Sequence, residues 1–142
     1  MPRAAGETEP VADPGVTLLV VTRDAELYAS VREAASVWKW TVQHTAEAIP
    51  SIAYFREPAS IRIIIYDGDS IDGDWKDALT GIKRLDRNSC ILLASGVSDP
   101  YLWDEVIRYG GYDVIAKSAG PEQIGRILHF AWFWNQKACQ KH

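Results

Sequence analysis

Four short, mostly apolar runs stand out along the chain: Thr17 to Val21 (TLLVV), Ile61 to Tyr66 (IRIIIY), Cys90 to Ser95 (CILLAS) and Tyr112 to Ala116 (YDVIA). Runs this short, rich in Val, Ile and Leu, are the pattern of strands covered on both faces, as in a parallel sheet. A fifth run, Trp38 to Gln43 (WKWTVQ), alternates large apolar and polar residues and predicts a half-exposed strand near a sheet edge. Trp38 and Trp40, two apart, would share one face of that strand and read as core or helix-packing residues.

Between these runs the apolar spacing changes to three and four. Asp24 precedes a stretch in which Leu27, Val31 and Ala34 or Ala35 recur, a first helix with an aspartate N-cap. Thr45 is expected to open a second helix over Ala46 to Phe55, with Pro50 inside it imposing a kink or a late start. A third helix is predicted from about Trp75 to Leu85, and a fourth from Pro100 to Tyr109, ending at Gly110 and Gly111. The fifth starts at Pro121 and runs through Ile124, Ile127, Leu128 and Ala131 to about Ala138. Strictly alternating strands and helices imply right-handed crossovers and an α/β sheet with helices on both faces.

Composition narrows the partners. At 142 residues with 47% hydrophobic residues, the chain suits one globular domain, expected over 16–138 between a flexible leader (1–15) and a short tail (139–142). The leader holds three prolines and three acids and no apolar block, unlike a signal peptide. No stretch reaches the roughly 20 apolar residues of a membrane span. A net charge of −4 argues against direct nucleic-acid binding, which draws on a positive surface. Cys90 and Cys139 lack any CxxC or histidine clustering, which fits a reducing, cytoplasmic compartment with no zinc site.

In open parallel sheets functional groups gather at the carboxyl ends of the strands. Here those ends carry Thr22 and Arg23, then Asp67, Ser95 and Lys117. Strand then Asp67, strand then Ser95 and strand then Lys117, at these separations, resemble the receiver domain of bacterial two-component response regulators, from Thr17 to about Trp134. The resemblance implies a CheY-like, flavodoxin-like doubly wound (βα)5 fold in three layers, with strand order 2-1-3-4-5. It further implies that Asp67 accepts a phosphoryl group from a histidine kinase, that Ser95 bonds a phosphoryl oxygen, and that Lys117 pairs with its charge. A carboxylate nucleophile flanked by a hydroxyl and a cation suits that chemistry.

The chain departs from the family at specific positions. Where the family carries two acids that bind magnesium with the phospho-acceptor, this chain has Thr22 and Arg23. A guanidinium about 5 Å from a divalent ion would cost roughly 6 kcal/mol at an effective dielectric of about 20. Arg23, with Lys117 as a second cation, is therefore expected to pair with Asp67 in place of the metal, and no cofactor is expected. Val114 stands where the family has an aromatic switch residue, and Ser118 follows Lys117 in place of a proline.

Other readings compete. The acidic loop Asp67, Asp69, Asp72, Asp74 fails the calcium-loop template, since Ile71 takes a ligand position and Ala78 replaces the closing glutamate. A metal site from Asp24, Asp67 and Asp69 is the weaker alternative. It would go with a phosphorylatable regulator that removes its own phosphate through a rearranged magnesium site. A flavodoxin-like domain binding a small cofactor such as flavin is a further one. No GxxxxGK[ST], GxGxxG or GxSxG motif supports a nucleotide-driven or hydrolytic enzyme.

On the last helix, Phe130 and Phe133 fall opposite the sheet-facing residues and Trp132 lies on a flank. A cluster of exposed aromatics suggests a partner surface. Receiver domains commonly dimerise through their fourth helix, fifth strand and fifth helix. The expected protein is a stand-alone pseudo-receiver that acts by contact with a histidine kinase or another signalling protein, as a homodimer through that face.

Overall fold

The computed structural model describes residues 16–47, 61–85, 88–97 and 99–140, the side chains of 136–140 excepted. Its elements run β1 (Thr17–Val21), α1 (Ala25–Ser36), β2 (Thr41–Thr45), β3 (Ile61–Asp67), α2 (Trp75–Leu85), β4 (Cys90–Ser95), α3 (Pro100–Arg108), β5 (Asp113–Ala116) and α4 (Pro121–Gln140). The five strands are all parallel, in the order β2-β1-β3-β4-β5.

Alternation along each strand divides the core in two, because successive side chains leave a strand on opposite faces. Leu18, Val20, Ile63, Ile65, Leu92, Ala94 and Ile115 pack under α1 and α4, against Leu27, Val31, Ile124 and Leu128. Leu19, Val21, Ile64, Tyr66, Ile91 and Leu93 pack on the other side under α2 and α3, against Leu79, Ile82 and Val106. Burial on both faces is why these strands read as unbroken apolar runs.

The expected edge strand starts late. After Ser36 the backbone N–H groups of Trp38, Lys39 and Trp40 donate back to the carbonyls of Ala35 and Ser36, and Lys39 takes φ +59°. Those donors are spent closing the helix, so pairing begins only at Thr41, and Trp38 and Trp40 lie in the turn and not on a strand. Their packing role stands: Trp40 is buried and Trp38 lies over the same core. Thr45 does not open a helix. It ends β2 opposite Val21 and accepts from the Thr22 N–H, and Ala46 and Glu47 form a bend. The remainder of the helix anticipated at Ala46 to Phe55, with Pro50, falls outside the described residues.

The other helices begin where the caps indicate. Asp24 caps α1 by accepting from Glu26 and Leu27 N–H, and Pro100 and Pro121 occupy the first positions of α3 and α4. The last helix continues to Gln140, two residues beyond the end anticipated at Ala138. Among the described residues no helix is long and apolar enough to cross a membrane.

Candidate functional site

Asp67 is the last residue of β3, the central strand, and is fully buried. Both carboxylate oxygens are filled by the chain itself. Oδ1 accepts from the backbone N–H of Asp69 (3.0 Å) and Ser70 (3.3 Å), because the loop turns back over the strand end. Ile71 fixes that turn: its N–H donates to the Asp67 carbonyl and its side chain is buried in the core. Oδ2 accepts from the hydroxyls of Thr22 (2.6 Å) and Ser70 (2.7 Å) and from Lys117 Nζ (2.9 Å).

Lys117, just past β5, is brought in by a bond from its N–H to the Ser95 carbonyl. Its ammonium also lies 3.2 Å from Asp24 Oδ2 and 4.0 Å from Asp69 Oδ2. The three acids proposed as weak metal ligands thus surround one lysine. Asp24 serves two ends at once, since its Oδ1 caps α1 while Oδ2 meets the lysine. Asp69 in turn accepts from the Gly96 N–H at 2.6 Å, which ties the loop after β3 to the end of β4.

The electrostatics follow from these contacts. Burial pushes the Asp67 carboxyl upward, but the hydrogen bonds from Thr22, Ser70, Lys117 and Asp69 outweigh it and hold the group below the ordinary aspartate range. Burial pulls the Lys117 ammonium down, and the bonds to Asp67 and Asp24 more than compensate, leaving it above the ordinary lysine value. Asp24 is lowered, chiefly by the Leu27 N–H.

The expected pairing of Arg23 with Asp67 is not formed. Val21 and Thr22 are both buried, and the chain turns at Arg23 so that its side chain leaves the sheet. Its N–H donates to Ser70 Oγ (2.9 Å), its Nε donates to the Ala46 carbonyl (2.9 Å), and its Nη1 lies 3.5 Å from Asp72 in an exposed pair. Among the described residues Lys117 alone supplies the cation at Asp67. Arg23 braces the loop from outside.

Ser95 sits at the end of β4, with its hydroxyl accepting from the Val97 N–H at 3.0 Å. Val114 is half-buried in β5 and packs on the α2/α3 side of the core. On α4, Phe130 and Phe133 are exposed at 60% and 54%, as their phase predicts. Trp132 instead folds back, its ring edge on Trp40 with centroids 6.0 Å apart, and Trp134, 51% exposed, joins the outer face. Helix α4 stays in phase on the sheet, but the wide Trp40 ring reaches out to its flank.

Sequence reasoning missed Ser70, which donates to Asp67 and accepts from Arg23. The signal was a serine three residues after an aspartate in a loop, the spacing of an aspartate-headed turn. It also read Thr22 only as a missing acid, where its hydroxyl makes the shortest bond to Asp67.

This donor set does not fit a magnesium ion. Thr22 and Ser70 direct their protons at Asp67, the ammonium lies among the three acids, and among the described residues no three acidic, histidine or cysteine side chains are grouped to hold a metal.

The order of strands and the two helical layers define the fold of CheY-like receiver domains. Comparison with solved structures agrees. The chain superimposes on a response regulator receiver domain protein (CheY-like) from Methanospirillum hungatei with TM-score 0.73, at 16% identity over 86% of this chain and 97% of that one. A receiver domain protein from Clostridium thermocellum gives TM-score 0.72 at 14% identity, covering 87% of this chain and 98% of that one. A response regulator from Thermotoga maritima gives 0.69 at 16% identity, covering 81% and 95%. No protein-family model matches the chain, and no curated relative does.

Proposed function

We propose that this chain is a receiver-like signalling module that works by protein contact, with Asp67 serving as a structural anion and not as a phosphoryl acceptor. The observation that carries this reading is the saturation of Asp67. Its two oxygens take five donors and the residue has no exposed surface, so no lone pair is presented to an incoming phosphorus. Attack would require breaking at least one of the bonds to Thr22, Ser70 or Lys117 first.

In this reading the signalling unit is the 16–138 segment, without cofactor and without enzymatic turnover, working in the cytoplasm. Its partner is a histidine kinase or another signalling protein, and not nucleic acid. Copies of the chain associate through α3, β5 and α4, where Phe130 and Phe133 are exposed. Val114, at the position of the aromatic switch, has no ring to rotate in response to a change at Asp67.

The test is incubation of the full chain with acetyl phosphate and magnesium, followed by intact mass. The expected spectrum is unchanged. A gain of one phosphoryl group that disappears in Asp67→Asn would replace this reading with that of a phosphorylatable regulator, using Lys117 and Ser95 in their family roles.

A further inference from the structure

The end of the sheet remote from Asp67 carries two adjoining cavities. One, of about 140 Å³, opens where Ser89 leads into β4 and Gly111 leads into β5, and α4 closes it with Trp134 and Asn135. The other, of about 520 Å³, lies between the carboxyl ends of α2 and α3 and is lined by Lys83, Arg84, Arg108 and Tyr109. Lys83 and Gly110 line both, so the two spaces are neighbours on either side of one lysine.

We propose that these cavities form a nucleotide-binding site, with the base beside Asn135 and Trp134 and the phosphates against Arg84 and Arg108. Three features support it independently. Asn135 is only 2% exposed, and its Nδ2 donates to the Asn88 carbonyl. That bond fixes which way the amide faces, since the flipped amide would set two oxygens together. Its Oδ1 is then a buried acceptor without a donor among the described residues. Buried acceptors are nearly always satisfied by protein, water or ligand, and an N–H group of a bound base would satisfy this one. A base carries such N–H groups beside a flat ring.

The shape and the charge agree with that chemistry. A cavity near this volume holds a single aromatic ring, room for the six-membered ring of a base that bears the N–H groups. Trp134 stacks on Tyr112 at 22° with centroids 6.1 Å apart, yet keeps 51% of its surface available to a further ring. The neighbouring cavity is lined by three cations and no acid, on a protein whose net charge is −4. Arg84 and Arg108 take no part in an ion pair among the described residues. Helix dipoles explain a cation at each helix end. They do not explain an orphaned acceptor next door, and guanidinium groups are the natural partners of phosphate oxygens.

The site would act without magnesium and apart from Asp67, so it stands or falls separately from the signalling proposal. Equilibrium dialysis of the full chain without magnesium, against ATP, adenosine and inorganic pyrophosphate, tests it. ATP is expected to bind saturably and more tightly than either fragment. Arg84→Ala combined with Arg108→Ala, both at exposed positions, should weaken ATP by about tenfold or more. Asn135→Leu should weaken ATP and leave pyrophosphate unaffected, and Asp67→Asn should change nothing. Absence of saturable ATP binding, equal affinity for pyrophosphate, or an unchanged affinity in the double arginine variant would each overturn the proposal.

Discussion

At the scale of single residues, the account rests on a carboxylate neutralised from within. Lys117→Met would leave Asp67 buried with hydroxyls but no cation, and removing one partner of a buried pair costs about 3 kcal/mol or more. A fall in the urea midpoint, with a rise in the Asp67 carboxyl pKa by NMR titration, is the expected result. The pH dependence has a definite sign. Because the Asp67 carboxyl is lowered in the fold, its contribution is present above the ordinary value of about 3.9 and is lost as pH falls through the native value. Because Lys117 is raised, its contribution is complete below about 10.4 and is lost as pH rises through its native value. Stability should therefore plateau between these limits, and Asp67→Asn should flatten the acid limb when urea midpoints are measured against pH. Asp67 and Lys117 were legible in the sequence because each follows an apolar run. The Arg23 side chain was not, because its direction depends on the turn after β1: Thr22 goes in and Arg23 goes out to Ala46 and Asp72.

At the scale of elements, strands buried on both faces were the easiest to read, since β1, β3 and β4 have no solvent face to blur the pattern. β2 was harder. Its solvent-facing positions leave little apolar signal, and the two tryptophans before it imitate a strand although their backbone closes α1. The passage from α3 to β5 shows how tightly an element boundary can be held. Gly110 adopts φ +100°, which side-chain-bearing residues seldom adopt, and a Cβ there would also meet Lys83 Cγ at 2.8 Å. A Cβ at Gly111 would press on the Val106 side chain and approach Leu79 Cδ2 at 3.2 Å. Gly111→Ala is expected to cost about 1–3 kcal/mol by overpacking, seen as a lower thermal midpoint with the far-UV spectrum retained.

At the scale of the whole molecule, a receiver fold persists at 14–16% identity to solved receivers because the pattern of apolar runs, and not particular residues, specifies the doubly wound sheet. If Phe130 and Phe133 mediate self-association, sedimentation should show a dimer that Phe130→Glu with Phe133→Glu converts to monomer; a wild-type monomer would remove that contact from the account. The central claim, that a lysine occupies the electrostatic role of a dication at Asp67, is tested most directly by urea unfolding with and without millimolar magnesium at matched ionic strength. Any ion that binds only the folded state must raise the midpoint. The account predicts coincident curves for the wild-type chain. A magnesium-dependent rise that vanishes in Asp67→Asn would contradict it.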